Sequence, residues 1–305
     1  MDTRQVEYAI AVADELSFTR AAQRVYAGQS TVSAGVRALE RELGAALFDR
    51  DQRGVRITPA GEAVLPALRE LAAAEARART AADPRGELRG QLRIGVFSNV
   101  SHLVVPQVVG AFHRDHPLVD LRLRAAPAGS GELAEAVRRG RLDISLYGLP
   151  ASSAPGLAVH HLVTSPYAVV LPTGHPLAGR AGLHLEELAS EPFVDAPVGF
   201  GNRDVLDVAL GARGIVRDVR TEVTETITIP LFVANGLGVA VLPEVLLPPS
   251  DGTVTVPLAD PVGWDFNVIT RPSPGQAATL LLERLLAAYR TGAAPASPEP
   301  QRPPR

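Results

Sequence analysis

Apolar positions along the chain follow two regimes. Up to about residue 82 they recur every three or four residues, the period of amphipathic helices. Val6, Ile10 and Ala13 predict a first helix over 6–16. Ser17 reads as the N-cap of a second, over 18–26. Ala27-Gly28-Gln29 interrupts it, with Gly28 free to take a positive φ. A third helix follows over 30–43, with Val32, Val36, Leu39 and Leu43 inward and Gly44 at its end. Short strands at 47–50 and 55–58 flank Asp51-Gln52-Arg53-Gly54 and read as a hairpin. Thr58-Pro59 then starts a long Ala-, Glu- and Arg-rich helix to residue 82. Val64, Leu68 and Leu71 form its seam, Pro66 is expected to kink it, and Asp83-Pro84-Arg85-Gly86 serves as a hinge.

From residue 91 strands and helices alternate. Strands at 92–97, 120–124 and 142–146 enclose helices at 101–114 and 131–139. That βαβαβ order implies a parallel sheet with right-handed crossovers. A second set has strands at 167–171, 217–223 and 239–242 and helices at 202–213 and 226–235. A strand at 266–270 and a helix at 277–289 close the chain. The expected division is a head over 1–58, a linker helix and hinge over 59–90, and an α/β unit over 91–292. That unit splits into lobe one (91–162 plus 267–291) and lobe two (163–266), joined by two crossing strands. The Pro-rich residues 293–305 read as a disordered tail.

Composition narrows the function. A length of 305 residues allows two or three compact units. With no Cys, disulfides, zinc–thiolate sites, iron–sulfur clusters and thiol redox sensing are excluded. No apolar run reaches the roughly 18 residues of a membrane span, and no export segment follows Met1, so the protein is expected to be soluble and cytoplasmic, with no membrane partner. Net charge is −3, and every one of the 30 basic residues is Arg. Residues 1–90 hold 13 Arg against 13 acids, so a claim of DNA binding rests on where the arginines sit.

Two helices across a three-residue break, with Ala21-Ala22 facing Val32, Val36 and Leu39, have helix-turn-helix spacing. The second helix then offers Gln29, Ser30, Thr31, Ser33 and Arg37 to a major groove, where Gln can pair with adenine through two hydrogen bonds. Arg20, Arg24 and Arg37 are placed for phosphates, and Arg53 at the hairpin tip suits a minor groove. The bland alternative is a three-helix packing unit with a solvated Arg face.

The stretches Ser17-Phe18-Thr19-Arg20-Ala21-Ala22, Gln29 to Ser33, Val36 to Gly44, Leu47 to Arg50 and Arg53 to Gly61 together resemble the signature of LysR-type transcriptional regulators. The resemblance implies a winged helix-turn-helix, a dimerising linker helix and a two-lobed effector domain of periplasmic-binding-protein-like α/β fold. Its implied partners are double-stranded promoter DNA, a small-molecule effector, further copies of the chain as a homodimer or homotetramer, and RNA polymerase. Three positions depart from the family pattern. Leu16 stands where Gly is usual, Gly28 where a capping Ser is usual, and Ala34-Gly35 where a polar, often basic, pair is usual. Loss of that pair is expected to remove a DNA contact.

In open α/β sheets ligands sit beyond the carboxyl ends of strands. Ser98, Asn99 and Ser101 follow the first such strand and suit a carboxylate or other small anion, although ordinary helix capping uses the same residues. Gly129 and Ser130, then Phe200 and Asn202, then Thr226 open further helices and would line an interlobe cleft. Neither a cofactor nor a metal is expected. His113 and His116 share a helix face, but Pro117 follows and no third ligand is evident; His160 and His161 alternate across a strand. No P-loop, H-E-x-x-H or G-x-S-x-G occurs, so no catalytic residue is marked and an enzyme is not expected. Two other readings stay open: a regulator that needs no effector and uses its lobes for oligomerisation or partner binding, and a solute-binding or catalytic α/β protein with an accessory DNA head.

Overall fold

The computed structural model describes residues 1–51, 54–82, 87–97, 104–126, 128–248 and 250–290. The N-terminal head consists of α1 (Thr3–Glu15), α2 (Phe18–Arg24), α3 (Gln29–Leu43) and a hairpin of β1 (Phe48–Asp51) and β2 (Gly54–Ile57). Asp2 caps α1, and the Ser17 Oγ caps α2 by accepting from the Arg20 N–H at 3.3 Å. Gly28 is the N-cap of α3 with an ordinary φ of −70°. Between α1 and α3 the positive φ values fall instead on Leu16 (46°) and Tyr26 (51°), which end α1 and follow α2. The interhelical turn is therefore made by a residue with a Cβ, and Gly28 only opens the next helix.

Val6, Val12, Val32, Val36, Leu39 and Leu47 fill the core of the head. The long helix α4 (Pro59–Ala82) continues through Pro66 and adds Leu65 and Leu68 to that core. Leu71 stays exposed, so the expected seam of Val64, Leu68 and Leu71 divides between the head and the outer face. Glu40 ties the wing to α3, its Oε1 accepting the N–H groups of Leu47 (2.7 Å) and Phe48 (3.2 Å). Gly35 faces α1: a Cβ there would lie 2.6 Å from the Tyr8 ring. Position 35 is thus a helix-crossing site, and its expected role in a lost DNA contact is corrected.

In the C-terminal unit, β3 (Gly90–Val96) runs parallel to β4 (Val119–Ala125) on one side and β5 (Ile144–Tyr147) on the other. Between them lie α5 (Val105–Asp115) and α6 (Ser130–Arg138). Leu92 and Ile94 point into the core shared with Val105, Val108 and Phe112 of α5. The opposite face of this sheet takes α6 over β5, while Gln91 and Arg93 of β3 lie opposite Asp120 and Arg122 of β4. The strand β6 (Ala158–Pro172) is far longer than its expected portion at 167–171. Its first part pairs antiparallel with β11 (Gly263–Thr270), with a register shift between Phe266 and Asn267 that leaves Leu162 without a partner residue. Its second part pairs with β9 (Ala240–Pro243) and β10 (Thr253–Pro257). Beside them β7 (Pro192–Asp195) and β8 (Asp218–Glu222) form a parallel pair, with α7 (Gly201–Gly211), α8 (Ile229–Ala234) and α9 (Gln276–Arg290) packed around the sheets. The strands β7 and β10 have no counterpart in the sequence reading.

One buried ion pair joins the head to the linker. The Arg69 side chain on α4 is only 3% exposed and meets Asp14 at the end of α1. Burial opposes ionisation of Asp14, but Arg69, Arg24 and Arg93 together hold its carboxyl below the usual range. A Cβ at Gly140, beyond α6, would lie 3.0 Å from the Arg69 stem.

Two outcomes follow for stability. Asp14→Asn leaves a buried guanidinium without its counter-charge and should cost about 3 kcal/mol in urea unfolding. Gly35→Ala gains helix propensity but drives a methyl into Tyr8, for a net loss of about 1 kcal/mol by the same measurement.

Candidate functional site

The leading edge of α3 carries Gln29, Ser30 and Thr31 in exposed positions, and Ala34 and Arg37 continue that face one and two turns on. Short polar side chains at a helix start, with a guanidinium behind them, can reach base edges and a phosphate together. Ser33 does not share the face. It is 4% exposed and packs inward beside Val32 and Val36, so its place among the base-reading residues is corrected. Arg20 is exposed, though its guanidinium also donates to the Glu15 carbonyl oxygen. Arg24 turns away, pairing with Asp14 at 2.9 Å and reaching Gln91 of β3 at 3.4 Å, which corrects its reading as a phosphate contact. Arg53 lies outside the described residues.

Tyr26 was not singled out by the sequence. It is 98% exposed in the turn before α3, on a left-handed backbone that a bulky residue adopts only at a cost. An aromatic followed by Ala27-Gly28 is a weak signal, because the same letters occur in ordinary loops.

The second site is the cleft of the C-terminal unit. Gly129, Ser130, Phe200, Asn202 and Thr226, drawn from three separate loops, line one cavity. Phe97, Leu246 and Trp264 add apolar walls that the sequence reading did not include, and the indole of Trp264 stacks on Phe266 with ring centroids 5.6 Å apart. Trp264 is the single Trp of the chain, and that rarity was its one available signal. Ser98, Asn99 and Ser101 lie outside the described residues, as do Pro127 and the hinge at 83–86.

The cleft lips meet backbone to backbone. A Cβ at Gly129 would lie 2.7 Å from the Gly199 carbonyl oxygen, and one at Gly201 would lie 2.1 Å from that of Gly148. The Gly148 N–H donates to the Ser130 Oγ at 3.1 Å, and the Tyr167 hydroxyl donates to the Asn202 carbonyl at 2.7 Å. The remaining space is about 30 Å³, room for a single water. Two donors on residues that line it, the Asn202 Nδ2 and the Trp264 Nε1, are buried without a hydrogen-bond partner among the described residues. Such donors cost free energy until an acceptor arrives. None of the described lining residues is charged.

The histidines of the sequence reading do not gather into a metal site among the described residues. His116 sits beside Arg284, and His160 bonds Thr270. His184, Glu186 and Asp260 come within 4.8 Å of one another, but Arg213 already supplies the positive charge there, donating to Asp260 at 3.0 Å.

The comparisons with known proteins agree with this geometry. Residues 3–62 match the bacterial regulatory helix-turn-helix protein model of the lysR family, and residues 85–290 match the LysR substrate binding domain. The HTH-type transcriptional regulator ShiR of Corynebacterium glutamicum is 36% identical over 264 residues, covering 85% of this chain and 88% of its own. A single-substitution variant of full-length OxyR from Pseudomonas aeruginosa superposes with a TM-score of 0.75 at 26% identity, covering 95% of this chain and 98% of that one. Full-length CbnR complexed with its target DNA shares the fold, with a TM-score of 0.54 at 19% identity over 95% of this chain and 100% of that one. No described helix is long and apolar enough to cross a membrane. The chain belongs to the LysR family: it is a DNA-binding transcriptional regulator with an effector-binding domain, and its relatives are regulators rather than enzymes.

Proposed function

We propose that the protein works as a homodimer or a dimer of dimers, reading promoter DNA with Gln29, Ser30 and Thr31 in the major groove and anchoring on phosphates through Arg20 and Arg37. Arg53, which falls between β1 and β2 in the sequence, serves a minor groove. Two-fold symmetry then calls for half-sites a whole number of helical turns apart. The effector is a small, largely apolar molecule carrying hydrogen-bond acceptors. It sits between lobe one (91–162 plus 267–291) and lobe two (163–266), and its binding changes how the bound heads act on RNA polymerase.

The observation that carries the effector reading is the pair of orphaned donors, Asn202 Nδ2 and Trp264 Nε1, on two residues that line a cleft built from three loops. A carbonyl, an ester or one edge of a carboxylate would satisfy both. The described lining offers no cation to a full anionic charge, so acceptors rather than charge set its chemistry. Self-association is supported by the exposed side chains Leu118 and Leu123 on lobe one and Leu231, Phe232 and Leu237 on lobe two. The linker over 59–90 adds exposed Leu71.

Two measurements test this reading. In a binding-site selection, Gln29→Ala should relax base preference at one position per half-site. Arg37→Ala should instead weaken binding to every duplex and lower the slope of log affinity against log salt by about 1; if neither change alters DNA binding, α3 is not the reading helix. In a thermal-shift screen of small ketones, esters and carboxylates, the wild-type chain should be stabilised by one class. Gly201→Ala, whose methyl has no room against Gly148, should lose that shift while keeping promoter binding. A wild-type chain that no acceptor-bearing compound stabilises would favour the reading in which the lobes serve assembly alone.

A further inference from the structure

The head and lobe one enclose a second cavity, which shares no lining residue with the interlobe cleft. Its volume is about 360 Å³. The end of α1 and the end of α2 wall it on the head side, through Asp14, Glu15 and Arg24. On the lobe side its walls come from the sheet face beyond α6, through Arg93, Arg122 and Arg124, and from Arg141 just before β5. Five guanidinium groups therefore face one space.

Three of the five already have carboxylates. Arg93 makes a two-pronged pair with Asp143, at 3.0 and 2.7 Å. Arg122 bonds Asp120 at 2.9 Å, and Arg24 engages Asp14 and Glu15. Asp14 and Glu15, the two acids that line the cavity, are themselves held by Arg69, Arg24 and Arg20. The guanidinium groups of Arg124 and Arg141 have no ion pair and no hydrogen bond among the described residues, although the Arg141 backbone N–H donates to the Ala136 carbonyl at 2.8 Å. Among the described residues the space is left with two uncompensated positive charges and no free carboxylate.

The strand register places one of them. Arg124 stands opposite Gly95, which has no side chain to cover it. The helix α6 packs on β5 and β11 with Leu133 lying over Gly95, and Asp14, Glu15 and Arg24 of the head close the space from the other side. Planar guanidinium forks bind tetrahedral oxyanions through paired N–H groups, and a half-enclosed cavity strengthens that attraction over the same groups in open water.

We propose that this junction is a second ligand site, which takes a doubly charged oxyanion of the phosphate class, free or as a monoester, through Arg124 and Arg141. Both arginines belong to lobe one, and Arg24 is the one cation among the described lining residues that faces the space from the head.

The test is calorimetric titration of the full-length protein at constant ionic strength, with orthophosphate in one arm and glycerol phosphate in the other. Chloride is the reference. One phosphate-class anion should bind per chain, and Arg124→Gln with Arg141→Gln should weaken it at least tenfold. Both side chains are exposed, so the paired substitution leaves the packing intact. Binding of both anions identifies a site for the oxyanion itself, and binding of glycerol phosphate alone identifies a site that also reads the attached group. The proposal is overturned if neither anion binds more tightly than chloride, or if the double variant binds as the wild type does. It is also overturned if the double variant loses affinity for promoter DNA while the wild type binds neither anion, since the two arginines would then serve the duplex backbone.

Discussion

A guanidinium cannot be taken out of water without a carboxylate to meet it, and Arg69 is taken almost wholly out of water. Asp14 is the group that meets it. The pair fixes which side of α4 lies against α1, and with it the direction in which the linker leaves the head. The stem of the same side chain passes Gly140, where the absence of a Cβ and a φ of +66° give it room. Arg271, which bonds the carbonyls of Val137 and Leu142, lies against the same glycine. One side chain thus touches the head, the linker and the first lobe. Apolar packing inside each unit would tolerate small rotations; a buried charge with one counter-charge does not.

The two halves of the molecule are built on different principles. In the head, side chains decide the arrangement: Tyr8 over Gly35, Glu40 bonded to the start of the wing, Leu65 and Leu68 in the common core. In the effector unit, backbone decides it. Two strands, β6 and β11, run together through the register shift at Phe266 and Asn267, and glycines let the loops at the cleft touch directly. A reader of DNA needs a rigid, fixed outline. A sensor needs surfaces that can part and rejoin.

Much of this was legible in the sequence. The head helices announce themselves because their apolar residues keep a 3.6-residue period and their starts carry Ser17 and Pro59. The cleft residues Gly129, Ser130, Phe200, Asn202 and Thr226 were readable because loops after parallel strands converge at one edge of an α/β sheet. Other features were hidden for identifiable reasons. Ser33 is polar in letter but small enough to pack beside Val32 and Val36. Positive φ was assigned to Gly28 by propensity, whereas the chain bends at Leu16 and Tyr26, where the helix ends require it. Arg24 looked like a DNA contact because nothing in its own neighbourhood reveals Asp14 ten residues back in the chain. The first half of β6, with His160-His161 and Thr164-Ser165-Pro166, lacks clean alternation because its covered face changes as it passes along the sheet. Trp264 and Leu246 reach the cavity from distant segments that no local pattern connects.

The glycine-lined lips of the cleft have a kinetic consequence. Where side chains cover a binding site, a rotamer flip can admit a small molecule within nanoseconds. Here carbonyl groups and α-carbons form the closure, and none of them can swing aside alone. Entry and departure must wait for the paired strands between the lobes to flex, so the lifetime of an occupied state is set by the stiffness of those strands more than by the strength of any single bond to the guest.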